Sequence, residues 1–117
     1  MRHGKAGRRL GRNDDHRRAM LRNLATALFT PGTIETTVAR AKEVSRVASR
    51  MITRAKKGDL HSRRLVGAYL RSEDVTKKLF DVIAPSLAGR NGGYTRIVRT
   101  RIRKGDAAPL AQIELLQ

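Results

Sequence analysis

The sequence predicts an α+β fold in which about four helices pack on a small three-stranded sheet, preceded by an extended basic arm. Three observations lead to this prediction. Apolar residues through the middle of the chain recur with a helical period of about 3.6. Apolar and β-branched residues alternate in one short segment before that middle and in two segments after it, as in strands. The opening dozen residues show neither pattern.

Residues 1–12 are predicted to be the arm. They carry five cations and three glycines, and Leu10 is the main apolar side chain among them. Such a segment cannot bury enough apolar area to offset an ordering cost of roughly 1–2 kcal/mol per residue, so it should gain structure only on a polyanion. Residues 13–117 are predicted to form a single globular domain, because this length suffices for one modest core.

The charge of the chain points to a strongly anionic partner. Lys and Arg total 26 against 10 acids, a formal charge of +16 that repels itself unless a partner neutralises it. Nucleic acid is the first candidate, and an anionic membrane surface or an acidic protein are the others. The cations are 19 Arg and 7 Lys, which favours planar, bidentate contact with phosphate.

Several classes of protein are disfavoured by composition. The chain has no Cys, which excludes disulfides, thiolate catalysis and zinc knuckles. No apolar run approaches the roughly 20 residues that span a bilayer, and the basic N-terminus is not followed by the apolar stretch of a signal peptide. We therefore expect a soluble protein that is not exported.

Two helices are predicted in the first half. The first should start at an Asn13–Asp15 cap and stop at residues 29–32, where proline and glycine disfavour a helix. Its apolar stripe should comprise Met20, Leu24, Ala27 and Leu28. The second and longest helix should span about residues 39–57, with an apolar face of Ala41, Val44, Ala48, Met51 and Ala55 that Val47 and Ile52 broaden. Its arginine row, Arg46, Arg50 and Arg54, fits a solvated face and an anion-binding face equally well.

Two shorter helices should follow. A third is expected from Leu60 to about Leu70, after a glycine C-cap and an Asp59 N-cap. Its inward residues should be Leu65, Ala68 and Tyr69. A fourth should open at a Ser72 N-cap and close at Pro85, with a stripe of Val75, Leu79, Val82 and Ile83.

Three strands are expected. Residues 33–38 are β-branched at five of six positions, with Ile34, Thr36 and Val38 on one face. Residues 94–103 and 110–116 should pair as a hairpin around a turn at residues 104–106, with Pro109 at the start of the second strand. The first hairpin strand should place Val98, Thr100 and Ile102 on one face and Arg99, Arg101 and Arg103 on the other.

The residues that could support catalysis do not converge in the sequence. His3, His16 and His61 are scattered without ligand spacing, and the adjacent acids are explained by helix caps. Tyr94 is equally compatible with a packed strand end and with stacking on a base. A DNA-binding helix-turn-helix, with its turn at Gly58 and its contact residues Arg63 and Arg64 on the next helix, is a further alternative.

Four segments resemble one known family: MRHGKAGRRLGR, HRRAMLRNL, GGYTRI and KGDAAPLAQIEL. They resemble the bacterial large-subunit ribosomal protein numbered seventeen. The resemblance implies helices on a small mixed sheet and a structural role in the ribosome, in the cytoplasm. It implies binding to ribosomal RNA near the exit of the nascent-chain tunnel, with other large-subunit proteins as neighbours. No enzymatic activity, cofactor, small-molecule substrate or membrane comes with it.

The predicted RNA-binding residues fall into two groups. Matches to the family's basic opening and late motif are Arg2, His3, Lys5, Arg8, Arg9, Arg12, His16, Arg17, Gly92, Gly93, Tyr94 and Arg96. Cations next to those motifs are Arg18, Arg22, Arg90, Arg99, Arg101, Arg103 and Lys104. The alternatives from other classes are a free-standing DNA-binding or nucleoid protein and an RNA-processing enzyme; the absence of a convergent acid, base or metal set in the sequence argues against the enzyme.

Overall fold

The computed structural model describes residues 14–117, so the predicted arm and the Asn13 cap lie outside the described residues. Seven elements follow in chain order. They are α1 Asp14–Phe29, β1 Thr33–Thr37, α2 Val38–Lys57, α3 Leu60–Tyr69, α4 from Glu73 to Ser86, β2 Thr95–Ile102 and β3 Pro109–Leu115. Helix α4 has three consecutive parts: Glu73–Lys78 is α-helical, Leu79–Ile83 is a π-helical turn, and Ala84–Ser86 is α-helical again.

The three strands form one sheet in the order β1-β3-β2. Both ladders are antiparallel. Ile113 of the central strand β3 lies opposite Ile34 of β1 on one side and opposite Ile97 of β2 on the other. The predicted α+β class and the third strand are therefore confirmed. The expectation of a mixed sheet is wrong, because β1 and β2 run in the same direction but β3 separates them, so no parallel ladder forms.

Local sequence fixes the ends of the helices much as predicted. Thr37 caps α2 by accepting a hydrogen bond from the Arg40 amide at 3.4 Å, and Gly58 ends that helix at φ 70°, the left-handed region that glycine enters without strain. Asp59 then caps α3 by accepting from the Ser62 amide at 2.7 Å. Val38, predicted as the end of β1, is instead the first residue of α2.

Helix α2 lies at the centre of the core, between the sheet and the other helices. Its predicted apolar face is confirmed, since Val44, Ala48, Met51, Ile52 and Ala55 are all buried. The core-facing side of β3 contributes Ala111, Ile113 and Leu115. The helices thus cover one face of the sheet, and the other face is open to solvent.

The predicted faces of α1 and α3 need correction. Phe29 is predicted to lie in the segment that ends the first helix, but it is the last residue of α1 and is completely buried. Ala27, predicted to belong to the apolar stripe, is exposed. In α3, Leu65 and Ala68 are exposed. The buried residues are instead Ser62, Val66 and Leu70, which recur at intervals of four. The face of α3 that packs on α2 is therefore shifted by about one residue from the predicted face.

Helix α4 departs from prediction at its π-helical turn. Val82 was expected inward but is 52% exposed, while Leu79, Ile83 and Leu87 are buried. Val82 lies inside the π-helical turn, where the regular α-helical spacing does not hold. Pro85 does not close the helix, since it lies within the last turn, one residue before the helix ends at Ser86.

Candidate nucleic-acid interface

The β2–β3 hairpin, with the loop before it, is a strongly basic part of the described chain. Residues 90–106 hold six cations and one carboxylate. Residues 98–107 are all exposed, so the hairpin projects beyond the part of the sheet that the helices cover. Its end therefore contributes little to the core and presents a concentrated positive charge to solvent.

A β-bulge redistributes the hairpin arginines between the two faces of the sheet. Arg99 lies opposite Ala111, but Arg101 lies opposite Leu110, so Thr100 is an extra residue in β2. The predicted alternation, with Arg99 and Arg101 on one face and Thr100 on the other, is therefore wrong. The bulge turns the side chains of both Thr100 and Arg101 toward Glu35 of β1.

Glu35 holds the two bulge residues together across the open face of the sheet. Its carboxylate accepts from the Thr100 hydroxyl at 2.7 Å and from the Arg101 guanidinium at 3.0 Å. The hydrogen bond from Thr100, followed by Arg101, keeps the pKa of Glu35 below its ordinary value. The position of Arg101 is thus set by contacts to a strand that sequence alone did not link to it.

Two other predicted contact arginines are also paired with carboxylates. Arg96 pairs with Glu114 on the neighbouring strand. Arg103 and Asp106 pair across the turn, with an Nε–Oδ1 distance of 3.1 Å. In contrast, the side chains of Arg90, Arg99 and Lys104 have no partner among residues 14–117. Sequence reasoning did not identify these acids as partners of the hairpin arginines.

The Arg103–Asp106 pair predicts a measurable acid titration. Hydrogen bonds from Arg103 and then from the Ala108 amide lower the pKa of Asp106 from 3.8 to about 2. Because the folded-state pKa is depressed, the stabilisation is complete above about pH 4 and is lost as the pH falls through about 2. We expect the carboxyl carbon shift of Asp106 in NMR to titrate near 2, and closer to the ordinary value in Arg103→Gln, where the hydrogen bond from the Ala108 amide remains. An ordinary midpoint in the unmodified protein would contradict the pair.

Tyr94 anchors the loop that precedes β2. Its side chain is only 4% exposed, and the Lys56 ammonium donates to its hydroxyl at 3.1 Å and lies 5.1 Å from the centre of its ring. Lys56 also donates to the Arg90 carbonyl oxygen. The structure therefore supports the packed alternative for Tyr94. The adjacent Gly93 has a φ of 61° with open space around it, so glycine is needed there for conformation and not for room.

The predicted contacts on α1 are placed in different surroundings. Arg17 pairs with Asp14 at 3.1 Å, and His16 and Arg18 are exposed. Arg22 donates at 2.7 Å to the carbonyls of both Ala68 and Tyr69, and so satisfies the C-terminal end of α3. The Arg22 guanidinium, which is partly exposed, therefore links α1 to α3.

In the helix-turn-helix alternative, the contact residue Arg63 is exposed and also contacts another helix. Helices α2 and α3 do meet at the Gly58 turn, but the Arg63 guanidinium lies 5.1 Å from the centre of the Phe80 ring and packs against α4.

Among residues 14–117, no set of three or more ligand-type side chains is positioned to hold a metal ion. None of the described helices combines the length and apolarity needed to cross a membrane.

Fold and surface together define a small basic α+β protein that carries its cations on a projecting hairpin, a glycine loop and helix faces. Comparison with known proteins then gives the family. The family profile described as ribosomal protein L17 matches residues 20–116.

Individual relatives are similar over nearly the whole chain. The chain is 54% identical over 117 residues to the large ribosomal subunit protein bL17 of Pelobacter propionicus, covering all of this chain and 92% of the relative. It is 55% identical to the bL17 of Fusobacterium nucleatum, covering 99% of this chain and 100% of the relative. It is 59% identical to that of Clostridioides difficile over 93% of this chain and 96% of the relative.

The chain therefore belongs to the ribosomal protein L17 family. It is a structural component of the large ribosomal subunit and not an enzyme. The resemblance inferred from the four sequence segments is thereby confirmed, as is the expected location in the ribosome.

Proposed function

We propose that this chain binds the RNA of the large subunit through two basic sites, the arm of residues 2–12 and the hairpin site of residues 90–104. We further propose that it lies near the exit of the nascent-chain tunnel, with other large-subunit proteins beside it. The observation that supports the hairpin site most strongly is its projection: residues 98–107 are exposed, and residues 90–106 hold six cations against one carboxylate.

Pairing with carboxylates does not remove the hairpin arginines from this role. A guanidinium has five N–H donors, and the carboxylate of Asp106 engages two of the nitrogens of Arg103. The remaining donors stay available to phosphate oxygens. A guanidinium held by an acid has already lost part of its rotamer freedom, so it loses less on binding RNA than a free side chain does.

The hairpin site is tested with its two unpaired end cations. We expect Arg99→Gln with Lys104→Gln to weaken binding to deproteinised large-subunit RNA and to reduce the slope of log affinity against log salt by about 1.4–1.8, since each phosphate contact contributes about 0.7–0.9. The thermal unfolding midpoint should not change. A matched control is Arg71→Gln with Lys77→Gln, which removes the same charge from exposed positions outside the site.

Equal effects of the two double variants would show that only net charge matters and would contradict a hairpin site.

The DNA-binding alternative is tested in the same assay by competition with duplex DNA. RNA of the large subunit should compete at much lower concentration.

The location in the subunit is tested with a tethered cleavage reagent. Because the chain has no Cys, Ile102→Cys provides a unique attachment point, and Ile102 is 68% exposed at the end of β2. An iron chelate attached there in reconstituted large subunits should generate hydroxyl radicals that cut RNA segments around the tunnel exit. Cuts confined to segments remote from the exit would refute the location.

A further inference from the structure

Helix α2 presents a row of cations that the two proposed RNA sites do not include. Lys42, Arg46, Arg50 and Lys57 are exposed and recur at intervals of four, four and seven residues, which places them on one face of the helix. Exposed Thr53 occupies the gap between the last two. At a rise of about 1.5 Å per residue, this α2 row extends about 22 Å.

The row lacks a balancing set of acids. Glu43 is the one acidic residue of α2 and is only 8% exposed. Its carboxylate is 3.9 Å from the Arg46 guanidinium, longer than a charge-assisted hydrogen bond. Like charges four residues apart destabilise a helix, so the row is an unfavourable arrangement in the isolated protein. It becomes favourable when an anion lies along it.

Contacts on one flank of α2 place the row beside the hairpin site. The hydroxyls of Ser45 and Thr95 are 2.7 Å apart, and Lys56 bonds to Tyr94, so α2 is fixed against the start of β2 at two points. Arg99 lies opposite the buried Ala111, on the sheet face against which α2 packs. The row and the hairpin site therefore belong to one rigid surface.

We propose that the α2 row binds the sugar-phosphate backbone of an RNA duplex segment of the large subunit, an inference that rests on the proposed function. The row is straight, and its cations rise about 6 Å per four residues, comparable to the separation of successive phosphates on a strand. The row contains no aromatic side chain on which an unpaired base could stack. A duplex presents phosphates on its outside in such a line and keeps its bases inside.

The experiment compares two triple variants of the full chain. The test variant is Lys42→Gln, Arg46→Gln and Arg50→Gln. The control variant is Arg64→Gln, Arg71→Gln and Lys77→Gln, which loses the same charge at exposed positions on α3 and around α4. Binding to deproteinised large-subunit RNA is measured over a series of salt concentrations. The test variant should lose about tenfold or more in affinity at low salt and about 2–3 in salt slope, and the control much less.

Two further measurements separate the possible outcomes. The thermal unfolding midpoint of the test variant should be unchanged or higher, because repulsion along α2 is relieved. In hydroxyl-radical footprinting, the test variant should lose protection of one duplex segment and keep the protection that depends on Arg99 and Lys104. Equal binding by both variants would overturn the proposal, and the row would then be a solvated face or a surface for an acidic protein. Absence of salt-dependent binding by the unmodified chain would overturn the proposed function as well.

Discussion

Deleting residues 2–12 should weaken binding to large-subunit RNA by several orders of magnitude while leaving thermal unfolding of the isolated protein almost unchanged. The deletion removes five cations, and at about 0.7–0.9 per phosphate contact the salt slope should fall by about 3.5–4.5. Unfolding should be insensitive because the described core draws its buried apolar side chains from Ala25 onward. Filter binding across a salt series and calorimetry of the free protein measure the two effects.

A charge-neutral arm of the original length provides the control for this deletion. Replacing Arg2, Lys5, Arg8, Arg9 and Arg12 by Gln keeps the chain length and should reproduce most of the loss of affinity. If only the deletion weakened binding, the arm would act through its backbone or shape and not through charge. A large loss of stability in the deletion variant would show that the arm is part of the folded domain.

Local signals in the sequence were sufficient for the order and type of the elements. The caps at Asp59 and Ser72 and the C-cap glycine at position 58 act through adjacent backbone groups, so their effect can be predicted without knowing the fold. The apolar period of α2 was also sufficient, because a central helix with one broad buried face leaves little choice of orientation.

The errors arose where tertiary packing or an irregular backbone changes the repeat. The inward face of α3 depends on how that short helix meets α2, which its own sequence does not specify. The π-turn in α4 and the bulge at Thr100 each insert one residue into a regular repeat. In β2, side chains beyond the inserted residue are assigned to the wrong face when residues are counted at regular spacing, whereas in α4 the error is confined to Val82.

The candidate site was predicted as a set of cations but not as a set of interactions. Composition and sequence motifs located the basic segments. Long-range contacts decide which cations already bind other groups of the protein. Arg22 donates to carbonyls that lie 46 and 47 residues away in the sequence, and Arg101 pairs with Glu35, which is 66 residues away. A sequence pattern carries no information on such pairs, so the free and paired cations could be separated only in the folded structure.

Phe29→Ala should produce the largest loss of stability among single substitutions in α1. Phe29 is completely buried at the end of the helix, beside Leu28 in the core cluster. Removing a buried aromatic ring costs about 3–5 kcal/mol through lost burial and the cavity left behind, or roughly 10–20 °C in the unfolding midpoint of a domain of this size. Leu60→Ala is the control. Leu60 is 62% exposed and its truncation should change stability by no more than about 0.5 kcal/mol.

The same variant separates folding from RNA binding. Below its lowered unfolding midpoint, Phe29→Ala should bind large-subunit RNA with the affinity and salt slope of the unmodified chain, because its basic surface is unchanged. Arm deletion should do the reverse, weakening binding without lowering the midpoint. If Phe29→Ala weakened binding in proportion to its loss of stability at temperatures where it is folded, the core and the RNA contacts would be coupled. The rigid helical core would then act directly in binding and not only as a support for the basic sites.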